Sequence, residues 1–147
     1  MVGTRQEPQF PYRSDPISPL RLLEPNGALL EGCVSPLDDE QTLLALRLMM
    51  LSRAFDQRGI SLHRQGRFGT FSPVLGQEAS VVGSAFALDP SRDWIVPQYR
   101  ELPALLHQGL PLEQFILYFN GHPAGGAIPD GVRVLPIQIS LAAQLPH

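Results

Sequence analysis

Two stretches decide how this chain reads: Ser72-Pro73-Val74-Leu75-Gly76-Gln77-Glu78-Ala79 and Asp93-Trp94-Ile95-Val96-Pro97-Gln98-Tyr99-Arg100-Glu101. Each closes one element and opens a helix, so each is a loop able to present side chains. In the second, a short apolar run ends at Pro97, and Tyr99 and Arg100 precede a helical pattern. A guanidinium forks onto two oxygens of a phosphate and a phenol donates a further hydrogen bond, so this loop is a candidate wall of an anion site. Spacing alone equally allows a surface ion pair between Arg100 and Glu101 or another acid.

Outward from these loops the pattern is mainly helical. Ser35-Pro36-Leu37-Asp38 joins a capping hydroxyl, a proline tolerated in a first turn and an acid able to close a capping box, and predicts the start of a long helix. Leu44, Leu48, Leu51 and Phe55 follow at helical spacing, broadened by Leu43, Leu46 and Met50, and are expected to face the core. Arg53, Asp56, Arg58, His63 and Arg64 are expected on a solvent or interface side. Gly66 and Gly69 end the helix.

A second helix is expected from about Gly76, where Gly76, Ala79 or Ser80, Gly83 and Ala87 form a small-residue face suited to close packing. Asp89-Pro90 stops it, and Trp94 to Pro97 reads as a short buried strand. Two short helices, Leu102–Gln108 and Leu112–Phe119, follow on either side of Gly109 and Pro111. Asn120 to Gly131 is a glycine-rich loop, and Val132-Arg133-Val134-Leu135 is a candidate strand.

At the amino end, residues 1–19 carry Pro8, Pro11, Pro16 and Pro19 without periodicity and read as an extended arm. Asn26-Gly27 between Leu20–Leu23 and Ala28–Leu30 predicts a hairpin, because such turns need positive φ angles. The divisions expected are an arm and hairpin over 1–34 and a further domain over 35–147. The terminal run from Ser140 to His147 reads as a helix cut in its first turns, so a longer polypeptide is expected.

A length of 147 residues with 44% apolar residues can fill one core, and a net charge of −3 offers no electrostatic footprint for nucleic acid or anionic membrane. The single Cys33 excludes an intrachain disulfide, and no Cys/His spacing suggests a zinc site. With neither a secretory signal nor a membrane-length apolar run, a cytoplasmic location is expected. Walker, Rossmann and nucleophile-elbow patterns are missing. Of four dispersed histidines, His122 in the glycine-rich loop is the one placed for chemistry, against the plainer reading of a solvent-facing residue.

Five runs, taken in order, resemble the alpha subunit of the thiamine diphosphate-dependent 2-oxo acid dehydrogenases. They are Phe55-Asp56-Gln57-Arg58, Arg64-Gln65-Gly66-Arg67, Gly76-Gln77-Glu78-Ala79, Asp93 to Pro97 with Tyr99-Arg100, and Gln144-Leu145-Pro146. The resemblance runs from about Leu20 to the last residue. Gly131 to Gln138 is most similar to pyruvate dehydrogenase alpha subunits of the Gram-positive type, while Pro97 to Arg100 equally resembles branched-chain 2-oxo acid enzymes.

The resemblance implies an α/β fold, a parallel sheet between helical layers, of which this chain is the leading and mostly helical part, so that residues 35–147 form an incomplete cofactor-binding domain. It implies that Tyr99 and Arg100 grip the cofactor diphosphate. Ile139 and Leu141 would meet the aminopyrimidine through main-chain groups, with Leu141 as an apolar wedge. Phe71 and Gln98 would lie toward the substrate, and no catalytic residue comes from this chain. Magnesium is implied too, its Gly-Asp-Gly signature expected beyond His147. The implied partners are a beta subunit, a second alpha subunit in a heterotetramer, and a lipoyl acyltransferase. An isolated 147-residue chain should be inactive. The competing reading is a truncated interaction module that binds no cofactor.

Overall fold

The computed structural model describes residues 21–135 of the chain. The arm over 1–19, the run from Ser140 to His147, Ile139 and Leu141 lie outside the described residues. The chain divides into two compact units between Thr42 and Leu43.

The first unit holds the expected hairpin turn. Leu23 and Leu29 form an antiparallel bridge, Gly27 N–H donates to the Glu24 carbonyl at 2.9 Å and Glu24 N–H to the Ala28 carbonyl at 2.8 Å. Gly27 alone takes a positive φ, +85°, while Asn26 stays on the ordinary side and accepts from Ala28 N–H through its side chain. The turn is therefore a three-residue loop with a left-handed glycine rather than a two-residue Asn-Gly turn.

Helix α1, Asp39–Arg64, begins three residues later than the sequence suggests. Asp38 is the cap: Gln41 N–H donates to Asp38 Oδ1 at 2.8 Å, and Gln41 Oε1 accepts from Asp38 N–H at 3.1 Å, a reciprocal capping box. Ser35 closes a local turn on Leu37 instead. Gly66, at φ +68°, ends the helix as expected.

In the second unit the buried face of α1 is Ala45, Leu48, Ser52, Asp56 and Gly59. Leu48 is buried and Phe55 packs on the core, but Leu44 and Leu51 are 43% and 42% exposed, and Leu43, Leu46 and Met50 also face outward. The expected leucine stripe is thus corrected by part of a turn. Small residues let the helix backbone approach its neighbours closely, and Gly59 shows the effect: a Cβ there would run into the Phe71 ring, with Cε1 at 2.7 Å and Cε2 at 2.8 Å.

Helix α2, Glu78–Phe86, starts after Gly76, which adopts φ +85°. Gly76 is explained by that backbone angle and not by close packing, since a Cβ at Gly76 or Gly83 would meet nothing within 4 Å. Helix α3, Leu102–His107, and helix α4, Leu112–Phe119, fall where proline and glycine spacing puts them. Gly109, at φ +96°, turns the chain between them, with Leu110 N–H closing on the Leu105 carbonyl at 2.9 Å. A 3-10 turn, Pro123–Gly126, then packs on α4.

The two expected strands shrink to one parallel bridge. Ile95 N–H donates to the Arg133 carbonyl and Leu135 N–H to the Ile95 carbonyl, both at 3.0 Å. Ile95 and Val134 are buried, whereas Trp94 and Val96 are exposed, so period-two alternation replaces the fully buried run expected of Trp94 to Pro97. Among the described residues no longer strand forms, and the architecture is mostly helical. Leu102, Leu105, Leu110 and Phe115 from α3, α4 and their link surround this bridge and form the core with Ala85 of α2. No helix of the described residues is long and apolar enough to cross a membrane.

Candidate functional site

Five elements converge on one cleft of about 50 Å³, reached from α1, the Phe68–Ser72 loop, the Pro97–Glu101 loop, α3 and α4. Its apolar side is aromatic. Phe71 meets Phe119 edge-on at 4.9 Å between ring centroids, and Phe55 lies 5.9 Å from Phe71 and 6.4 Å from Phe115. Gly69 N–H donates to the Phe119 carbonyl at 2.8 Å, which ties the loop carrying Phe71 to the end of α4. Such offset and edge contacts make a rigid wall.

The polar side is supplied by Asp56, Thr70, Ser72, Tyr99 and Glu101. Glu101 shapes the loop: one carboxylate oxygen accepts the backbone N–H groups of both Gln98 and Arg100 at 2.9 Å. This pins the turn that carries Tyr99, whose side chain remains 55% exposed at the cleft mouth. Arg100 stacks its guanidinium 5.3 Å from the Tyr99 ring centroid. Its Nη1 donates to the Pro73 carbonyl at 2.6 Å.

Phe71 and Tyr99 thus line the cleft, and Arg100 stands beside it, held against the Ser72–Gly76 loop. Gln98 is exposed and does not line the cleft; its backbone N–H donates to Glu101, and its side chain makes no hydrogen bond among the described residues. His122 caps the Pro123–Gly126 turn, its Nδ1 accepting from Ala124 N–H at 3.1 Å, which is the plainer role. His63 also serves the backbone, donating through Nδ1 to the Gly69 carbonyl at 2.6 Å.

The residues that sequence reasoning placed on the outside of α1 include two that are structurally central. Asp56 is 1% exposed and its Oδ2 has no hydrogen-bond partner among the described residues. Burial pushes this carboxyl up from its ordinary 3.8 to about 6; the Val74 and Leu75 amides and the Arg100 charge oppose the rise, and the Glu78 charge adds to it. Arg53, three residues earlier, donates through Nε to Glu78 Oε1 at 2.8 Å, while Glu78 Oε2 accepts from Gly76 N–H at 2.8 Å. The Arg53 hydrogen bond is the main cause that holds the Glu78 carboxyl below its usual range. The available signal was positional: Asp56 falls on the line through Ala45, Leu48, Ser52 and Gly59, where a lone carboxylate among small residues is unusual.

The described residues hold no group of three or more His, Cys, Asp or Glu suited to a metal ion. What the cleft does contain is an aromatic wall and a phenol at its mouth; the Arg100 guanidinium stands beside it, with one of its five N–H donors used among the described residues.

Residues 46–147 match the family described as Dehydrogenase E1 component. The chain is 42% identical over 126 residues to the pyruvate dehydrogenase E1 component subunit alpha of Staphylococcus aureus, and 42% identical over 127 residues to that of Bacillus cereus. The subunit of the same name from Staphylococcus epidermidis is also 42% identical. These matches cover 85–86% of this chain and 34% of each of the first two relatives, so the chain spans about a third of their length. The chain belongs to the dehydrogenase E1 component family.

Proposed function

We propose that this chain is an alpha subunit, or the amino-terminal portion of one, of a thiamine diphosphate-dependent pyruvate dehydrogenase. The observation that carries the reading is the 42% identity to relatives named as that subunit, over a segment that includes the Tyr99-Arg100 loop and its cleft. The substrate is pyruvate, and the acyl group passes to a lipoyl-bearing acyltransferase.

Within this reading Arg100 and Tyr99 hold the diphosphate. The bond to Pro73 fixes the guanidinium plane and leaves the remaining N–H groups for phosphate oxygens, while the exposed Tyr99 hydroxyl adds a donor. Glu101 acts on the backbone, fixing the turn rather than meeting the ligand. Phe71 with Phe119 excludes water from the substrate side. Gln98 completes the substrate end by turning inward from its exposed position. Ile139 and Leu141 meet the aminopyrimidine. Thiamine diphosphate, when bound, supplies the electron sink that allows a 2-oxo acid to lose carbon dioxide. Magnesium joins the diphosphate through ligands beyond residue 147. A beta subunit closes the cofactor site, two alpha and two beta subunits assemble, and the assembly works in the cytoplasm. The parallel-sheet fold of the complete domain extends from the Ile95 and Val134 bridge.

The test is calorimetric titration of thiamine diphosphate with magnesium into the full-length chain co-expressed with its beta subunit. Micromolar or tighter binding is expected, weakened at least about tenfold by Arg100→Ala, the scale of one charge-assisted contact. Equal affinity in wild type and Arg100→Ala would overturn the assignment.

A further inference from the structure

We propose that Glu78 is a positioning residue of the anion site, setting Arg100 through the turn that carries the Pro73 carbonyl. This rests on the reading above, in which Arg100 grips a diphosphate, and adds to it the contacts that fix where the guanidinium stands.

Two arginines from different elements hold opposite ends of one turn. At one end Arg100 Nη1 donates to the Pro73 carbonyl at 2.6 Å, the only side-chain hydrogen bond of Arg100 among the described residues. At the other, Arg53 of α1 donates through Nε to Glu78 Oε1 at 2.8 Å, while Glu78 Oε2 accepts from Gly76 N–H at 2.8 Å. Between them Gln77 N–H closes on the Val74 carbonyl at 2.8 Å, with Gly76 at φ +85°, the pattern of a type II turn.

The bond from Gln77 to Val74 closes the turn without deciding how it faces. Types I and II share such a bond and differ by a flip of the central peptide, here Leu75–Gly76. Glu78 Oε2 holds the N–H of that peptide and so selects one of the two orientations. The Pro73 carbonyl belongs to the peptide that leads into the turn, so a turn that rolls carries the acceptor of Arg100 with it. A plain helix start does not require what Glu78 supplies. Its side chain is 6% exposed, both of its oxygens are engaged, and one of them is tied to α1, 25 residues away in the sequence. Helix α2, which Glu78 opens, packs against α3, and α3 follows directly on the loop that carries Arg100. The acceptor of the guanidinium is therefore fixed to regular helices on both sides of the turn.

The test measures the affinity for thiamine diphosphate with magnesium, by calorimetry, in the full-length subunit assembled with its beta subunit. Glu78→Ala is expected to weaken binding about tenfold, while Glu78→Gln, which keeps an oxygen for Gly76 N–H, stays within about threefold of wild type. The decisive measurement is the double variant. If Glu78 acts through Arg100, Glu78→Ala with Arg100→Ala binds no more weakly than Arg100→Ala alone. Wild-type affinity in Glu78→Ala, or losses that add in the double variant, would overturn the proposal. Should Glu78→Ala fail to assemble, Arg53→Ala carries the test, because the Arg53 side chain is half exposed and its loss leaves no buried group behind on α1. Arg53→Ala is expected to weaken binding about threefold and to add nothing to Arg100→Ala. Wild-type affinity in Arg53→Ala would then overturn the proposal. An Arg100→Ala variant that binds normally would instead sink the diphosphate assignment itself.

Discussion

Arg53 on α1 and Glu78 at the start of α2 meet with Nε and Oε1 2.8 Å apart, and the pair is asymmetric: the Arg53 side chain is half exposed and that of Glu78 is buried. Removing either partner therefore has different consequences. Without Arg53, water can reach only part of the gap and Glu78 keeps a buried charge bonded to Gly76 N–H alone. Without Glu78, Arg53 returns to solvent, but Gly76 loses its acceptor. Glu78→Ala is expected to lower the unfolding temperature more than Arg53→Ala, and Glu78→Gln to fall between wild type and Glu78→Ala. The acid limb follows from the depressed Glu78 carboxyl. Its contribution is present above the ordinary carboxylate range and is lost as pH falls below it, so Arg53→Ala should flatten stability against pH below about 4.5.

Asp56 runs the other way. Its folded-state pKa, about 6, lies above the ordinary 3.8, so the native state binds a proton more tightly than the unfolded chain. Stability from this group is full below about pH 4 and falls as pH rises toward 6 and beyond, by an amount on the order of 3 kcal/mol if the shift is fully expressed. Asp56→Asn should remove that slope between pH 4 and 6 and leave the protein more stable than wild type at pH 8. Denaturant unfolding at pH 4.5, 6 and 8 measures it, and a wild-type slope that persists in Asp56→Asn would refute the assignment.

Gly125 has a different constraint, from space alone. A Cβ there would stand 2.5 Å from Tyr118 Cα and 2.7 Å from the Leu117 carbonyl carbon, both backbone atoms of α4 that cannot rotate aside. Gly125→Ala should destabilise the chain by about 2 kcal/mol through forced separation of the 3-10 turn from α4. Gly126, where a Cβ meets nothing within 4 Å, is the control: Gly126→Ala should change stability by less than about 1 kcal/mol.

Much of this fold was legible because its punctuation is chemical. Gly109 and Pro111 place α3 and α4 almost to the residue, and Gly66 ends α1. The rotational setting of α1 was not legible, since periodicity weighs leucine above alanine, serine and glycine, and two faces of the helix carry an apolar line. The helix buries the line that lets backbones approach, through Ala45, Ser52 and Gly59, and turns Leu44 and Leu51 outward. Asp56 and Arg53 were assigned to the exterior by the same reasoning, although Asp56 falls on the buried line of α1 and the acceptor of Arg53, Glu78, lies 25 residues away, a separation no local pattern encodes. Of the residues that the resemblance pointed to, Phe71 and Tyr99 line the cleft, whereas Gln98 is exposed and does not.

Gly59 joins the helix setting to the cleft and gives the sharpest test of the substrate end. The Phe71 ring lies over the bare backbone of α1 at this position, where an added Cβ would stand 2.7 to 2.8 Å from two ring carbons. Phe71, unlike the backbone beside Gly125, can swing about χ1 and χ2, so Gly59→Ala should displace the ring and break its edge contact with Phe119 while costing only about 1 kcal/mol in stability. The cleft loses its rigid aromatic wall but keeps Tyr99 and Arg100. If the proposed function holds, Gly59→Ala in the assembled enzyme is expected to raise KM for the 2-oxo acid about tenfold and to leave thiamine diphosphate affinity within about twofold of wild type. Equal losses in both, or a loss of cofactor affinity alone, would place Phe71 at the cofactor and not at the substrate.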